Sequence, residues 1–198
     1  MQQVIIIHGG TTFQQYDTYL KSLSEKIVDL DRLAYTPMWK ELLQDKLGSE
    51  YQVLLPKMPN STNARYSEWA AWLDHISNLF SDNCILIGHS LGAIFLAKYL
   101  SENIIPFKIK ATILIAAPYD DESEEDLTDF KITNLTEKLS RQAGKLVFFN
   151  GTDDPVVSQS ELKKYQNDLS SAEFNLLSAP DHFVRQDFPE LVSFIKQL

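Results

Sequence analysis

The residues Gly88-His89-Ser90-Leu91-Gly92 carry the clearest chemistry in the chain. A serine between glycines at this spacing, after an apolar run and before a helical one, has the context of a nucleophile elbow. The turn projects the hydroxyl into a site. The flanking glycines let strand and helix pack closely beside it. A serine hydroxyl is a weak nucleophile until a base takes its proton.

Four histidines could supply that base. His89 lies inside the elbow, and its side chain is expected to point away from the serine hydroxyl. His8 ends the first apolar run and is read as a brace for the neighbouring loop. His75 falls mid-helix. His182 follows the last strand-like run, in Ala179-Pro180-Asp181-His182-Phe183, and is the expected general base. A carboxylate must orient its imidazole. Asp154 is favoured, because Pro155 holds it extended. Asp153 is the competitor, with a turn or cap as its other reading, and Asp120 comes third. The order Ser90, Asp154, His182 is the order this arrangement takes when it follows an elbow.

An oxyanion formed in such a reaction needs two backbone donors. The amide of Leu91, at the helix start, is one. The second is expected from the loop His8-Gly9-Gly10, at Gly10 or Thr11. Neutral imidazole is required, so activity should fall as acid protonates His182. The chemistry needs neither metal nor organic cofactor, and a small acyl compound is the expected substrate.

These residues need a scaffold that gathers loops at one edge. Nearly continuous apolar runs recur at 4–7, 51–55, 84–87, 111–116, 145–149 and 173–177. Runs without alternation suit strands buried on both faces of a parallel sheet. Segments of helical spacing lie between them, at 67–80, 91–100, 158–169 and 189–198. Trp69, Trp72, Leu73, Ile76, Leu79 and Phe80 form the apolar stripe expected of the first. Strand alternating with helix means an α/β fold with right-handed crossovers, here a three-layer α/β/α sandwich. Five of the seven glycines follow strand-like runs, at the sheet edge where open α/β folds build their sites.

One stretch is long. Residues 11–50 have room for two helices where an ordinary crossover needs one. Within it, Thr11, Phe13, Tyr16 and Trp39 are candidate pocket or lid residues. The competing reading is that aromatics at helical spacing pack as core. A second irregular stretch, 120–126, is a run of acidic residues read as a solvated loop, with docking of a basic partner as the alternative.

Composition limits the function classes. The chain has 198 residues, 44% hydrophobic and 23% charged, enough for one domain with a sizeable core. Its formal charge of −9 argues against a nucleic-acid binder and against adhesion to anionic membranes. A single cysteine, Cys84, rules out an internal disulfide and a cysteine-rich zinc site. The first apolar run is too short for a secretory leader, so a cytoplasmic protein is expected.

The chain resembles the α/β-hydrolase superfamily, and within it the compact serine hydrolases of the retinoblastoma-binding-protein type and their bacterial relatives. The likeness is carried by the first strand running into His8-Gly9, Met58-Pro59-Asn60 with Trp69, and Gly88-His89-Ser90-Leu91-Gly92. Asp153-Asp154 before Val156-Val157, and His182-Phe183, complete it. The resemblance implies a reduced sheet of six strands in the order 2-1-3-4-5-6, without a large lid domain. It implies Ser90, Asp154 and His182 as a triad that cleaves a small ester, thioester or amide through an acyl-enzyme. The chain departs from that group in the length of 11–50 and in Asp181, where relatives often carry glycine. Some proteins of this type are described mainly as partner-binding proteins, so an interaction module on the same scaffold is the alternative.

Overall fold

A computed structural model describes residues 1–120 and 126–198. Six parallel strands form one sheet: β1 (Gln2–Ile7), β2 (Tyr51–Leu54), β3 (Cys84–His89), β4 (Ile109–Ile115), β5 (Lys145–Gly151) and β6 (Glu173–Leu177). Their order is β2-β1-β3-β4-β5-β6. This is the six-stranded α/β-hydrolase arrangement that the sequence resemblance implies.

The pleat divides the apolar runs between two cores. Ile5, Ile7, Cys84 and Leu86 face one side, where α4 (Tyr66–Ser77), α5 (Leu91–Glu102), α6 (Glu137–Gln142) and α7 (Gln159–Asp168) pack through Trp69, Phe95, Leu139 and Tyr165. Val4, Ile6, Ile85 and Ile87 face the other, where α3 (Trp39–Leu47) and α8 (Pro189–Gln197) bring Trp39, Leu43, Leu191 and Ile195. Two-sided burial explains why β1 and β3 lack alternation. It does not extend to β2 and β6: both are edge strands and only half-buried, and Leu176 is exposed.

The stripe expected over 67–80 is shorter in the structure. Helix α4 ends at Ser77, and only Trp69, Leu73, Ile76 and Ser77 are buried along it. Trp72 is 36% exposed and Leu79 71%. Those two fall off the inward face, Trp72 onto the open side beside His75 and Leu79 past the helix end.

The long crossover holds three helices rather than two: α1 (Tyr16–Glu25), α2 (Leu30–Leu33) and α3. Helix α1 buries no residue, and Tyr16, Leu20 and Leu23 stand exposed. Only α3 joins the core. The acidic run at 120–126 lies, apart from its two ends, outside the described residues.

Candidate active site

The elbow follows from sterics around two glycines. Ser90 has φ 55° and ψ −122°, a left-handed backbone that a non-glycine residue adopts only under constraint. A side chain on Gly88 would lie 2.5 Å from the Gly92 carbonyl oxygen and 2.6 Å from Ala93 Cα. One on Gly92 would strike the carbonyl oxygens of Ile7 and His8. Both glycines therefore permit the close approach of β1, β3 and α5 that forces the turn. Ser90 is buried, and no described residue hydrogen-bonds its hydroxyl.

His182 follows β6, and its ring lies 5.2 Å, centroid to centroid, from that of His89, the neighbour of Ser90 in the chain. His182 Nδ1 lies 2.9 Å from each carboxylate oxygen of Asp154, which follows β5. Both oxygens of this one carboxylate face Nδ1, so in the neutral ring the Nδ1–H tautomer is favoured and Nε2 carries the lone pair. Nε2 is buried and meets no partner among the described residues. The Asp154 side chain is 1% exposed and that of His182 12%. Asp154 Oδ1 also accepts the amides of Val156 at 2.8 Å and Val157 at 3.0 Å. These bonds fix the orientation of the carboxylate. The competing acid has the other role expected of it. Asp153 accepts the Ala179 amide at 2.6 Å and the Ser178 hydroxyl at 2.9 Å, fastening the turn after β6. These bonds, the amide first, lower its pKa.

The backbone at His182 is strained as well. His182 and Phe183 both sit in the left-handed region, at φ 53° and 55°, which costs about 1–3 kcal/mol each. Several contacts oppose that cost. The Phe183 ring is fully buried and stacks on Phe188 at 5.2 Å. The His182 amide donates to Ala179 O at 3.1 Å, and that of Val184 to Asp181 O at 2.8 Å. Arg185 Nε donates to Asp181 Oδ2 at 2.8 Å, and Arg185 Nη2 to Oδ1 at 2.5 Å. The charge next to His182 is thus neutralised by a bidentate pair, and Arg185 holds the Asp181 carboxyl below the usual range. Two side chains from distant segments complete the hold. His89 Nε2 donates to the His182 carbonyl at 2.9 Å, and Trp39 Nε1 to the Phe183 carbonyl at 3.0 Å.

The loop after β1 lies against the elbow. Gly9 packs beside Ser90 and Gly10 beside Leu91, with ideal Cβ positions 3.2 Å from Ser90 Cβ and 3.3 Å from Leu91 Cδ2. The Thr11 amide is spent on the Ser61 carbonyl at 2.9 Å. No described residue accepts from the amide of Gly10, and Leu91 is the first residue of α5, whose amide has no acceptor within the helix. His8 braces this region from below: Nε2 accepts the Met58 amide at 2.9 Å, and Nδ1 donates to Gly9 O at 2.6 Å. Trp69 Nε1 ties Pro59 O at 2.8 Å.

The expected pocket residues separate. Thr11 and Phe13 line a cavity of about 650 Å³ together with Thr12, Gln14, Gln15, Thr18 and Asp126. Tyr16, 61% exposed, lines a different one, of about 380 Å³, with Tyr19 and Asn60. Trp39 lines neither. It is 2% exposed, locked under the His182 turn with its ring edge-on to His89 and Phe188. The sequence reading missed its role and that of His89. The one available signal was that both carry a ring N–H needing an acceptor when buried.

The family model described as "Serine hydrolase" matches residues 35–188. The chain belongs to the serine hydrolase family. No curated protein matches it by sequence. Among solved structures it is similar to the ydeN gene product of B. subtilis, at 20% identity and a TM-score of 0.74, covering 100% of this chain and 98% of that one. It is also similar to a thioesterase domain from the curacin biosynthetic pathway, at 16% identity and TM-score 0.60, covering 98% and 91%. Polyneuridine aldehyde esterase is a third, at 11% and 0.61, covering 100% and 98%. At these identities the likeness establishes the shared fold. This serine hydrolase accordingly has the α/β-hydrolase fold. Among its described residues no helix is long and apolar enough to cross a membrane.

Proposed function

We propose that this serine hydrolase cleaves a small carboxylic ester through Ser90, His182 and Asp154. The observation that carries the reading is the His182 imidazole, with its proton fixed toward Asp154 and a sheltered, unpartnered Nε2.

Ser90 Oγ attacks the substrate carbonyl carbon while its proton passes to His182 Nε2. Asp154 stabilises the imidazolium that results. The carbonyl π pair moves onto oxygen, and the amides of Leu91 and Gly10 receive that negative charge. Collapse expels the alcohol, which takes the proton from Nε2, and leaves an acyl ester on Ser90. Water then gives its proton to Nε2 and attacks the acyl carbon. The second tetrahedral species breaks to release the acid and return the proton to Ser90 Oγ. Thioesters and amides fit the same steps. The reading requires a hydrogen bond from Ser90 to His182 Nε2 in the substrate complex, where such bonds commonly tighten.

The cavity of about 650 Å³ at Thr11, the residue after Gly10, is the candidate substrate space of this reading, and Ser90, Asp154 and His182 are not among its lining residues. Phe13 is the one apolar side chain among its seven lining residues. Such a lining favours a short or polar group over a long hydrocarbon chain.

Intact-mass measurement after fluorophosphonate treatment tests the reading. One adduct on the wild type and none on Ser90→Ala is the expected result, followed by a panel of esters varied in acyl part. A folded wild type that takes no adduct would overturn it and bring the interaction-module reading forward, with a partner pull-down as the next step.

A further inference from the structure

We infer that His89 and Trp39 are positioning residues for the general base, aiming His182 by gripping the backbone of its turn. The inference rests on the triad reading above. Residues 182 and 183 are consecutive left-handed non-glycine residues, a conformation that must be imposed from outside. Two donors grip the two successive carbonyls: His89 Nε2 on His182 O at 2.9 Å, and Trp39 Nε1 on Phe183 O at 3.0 Å.

The donors come from separate parts of the fold. His89 ends β3 and shares a peptide bond with Ser90. Trp39 opens α3, and its own amide donates to Arg185 O at 2.9 Å, just beyond the turn. The two rings meet edge to face at 6.2 Å, so each fixes the orientation of the other. His89 in turn lies 5.2 Å from the His182 ring, centroid to centroid.

Nucleophile and base are thereby joined by one short path. The residue that precedes the serine in the chain holds the carbonyl of the histidine that must take its proton. A displacement of the elbow is carried to His182, and their separation is preserved. Burial of both donors also leaves each carbonyl without an alternative partner if its donor is lost.

Three variants test this. His89→Leu keeps bulk and removes the donor. His89→Gln keeps an N–H at similar reach. Trp39→Phe removes the indole N–H and keeps a ring against His89 and Phe188. Each is measured for kcat and KM on p-nitrophenyl acetate, for the rate of fluorophosphonate labelling, and for Tm. His89→Leu and Trp39→Phe should lower kcat and labelling rate by about tenfold or more with KM within about twofold, as misplacement of a reacting group does. His89→Gln should recover most of the loss.

Folded His89→Leu and Trp39→Phe with wild-type kcat would overturn the inference. So would a loss in His89→Leu that His89→Gln does not recover, or a rise in KM alone. Should His89→Leu not fold, the kcat of Trp39→Phe and His89→Gln decides. A wild type that takes no label at Ser90 refutes the triad reading itself, whereas a labelled wild type with indifferent variants refutes only the positioning role.

Discussion

Asp153 and Asp154 are adjacent in the chain yet hold opposite ends of one turn. Asp154 takes the His182 ring at 2.9 Å, and Asp153 takes the Ala179 amide at 2.6 Å, three residues before that ring. Their substitution should therefore separate chemistry from architecture. Asp154→Asn should cost on the order of 10³–10⁴ in kcat, because the imidazole proton loses its fixed place. Asp153→Asn should lower Tm and reduce kcat far less. Steady-state kinetics beside a thermal melt checks both, and equal losses of kcat would refute the division.

Gly92 marks the tightest contact at the elbow. A methyl group there meets the Ile7 and His8 carbonyl oxygens, which are backbone and cannot step aside. Gly92→Ala should cost at least about 1–3 kcal/mol, the usual range for overpacking, and should slow fluorophosphonate labelling. Denaturant unfolding measures the first, and an unchanged midpoint would mean that β1 and α5 have room to part.

Acid should weaken the fold through His89. Burial, then the nearby charges of Lys40 and His182, holds its pKa well below 6.5. The unfolded chain takes up that proton near about 6.5 while the folded chain does not. Below that pH the unfolded state is favoured, by up to about 1.4 kcal/mol per pH unit. His89→Gln removes this dependence, so the stability of wild type relative to the variant should decline from pH 7 toward pH 5. A gap independent of pH would show that His89 protonates freely in the fold.

Glu161 should act in the opposite sense. Its carboxylate is fully buried, accepting the amides of Tyr119 and Asp120 with Lys164 at 3.5 Å. Burial raises its pKa above 4.5, against the pull of the two amides and Lys164. The protonated form is therefore favoured in the folded state: its contribution is complete below 4.5 and is lost as pH rises through the folded value. Relative to Glu161→Gln, the wild type should lose stability over that window, measured by urea unfolding at a series of pH values. A wild type that gains on the variant as pH rises would show that the amides outweigh burial.

Phe13 is the apolar wall of the cavity beside Thr11. Phe13→Ala should change the ratio of kcat/KM between esters of different acyl size by about tenfold, with little change in Tm. A fall in Tm without a change in that ratio would make Phe13 a packing residue.

The parts of the site legible in the sequence are those that depend on local pattern. Ser90 lies where strand, glycine and helix signals meet, and the strands are visible because β1 and β3 are buried on both faces. Asp154 was separable from Asp153 only through Pro155, since side-chain direction in a loop has no periodicity. Trp39 was open between pocket and core readings, and its partner was invisible for another reason. Its hydrogen bond joins residues 144 apart, and no pattern within α3 records it. Helix α1 shows the converse limit: apolar spacing was present, but none of its residues is buried among the described residues.

The pairing of Val4 with Ile85 joins residues 81 positions apart, from 85 minus 4, between the second and third strands across the sheet. Such non-local pairing closes a long loop before it gains contacts, and chains built this way fold slowly. The elbow needs that pairing, because Gly92 presses on Ile7 and His8. On the triad reading, labelling of Ser90 during refolding should therefore serve as a clock for the docking of the first strand, following it whatever helix content has already formed.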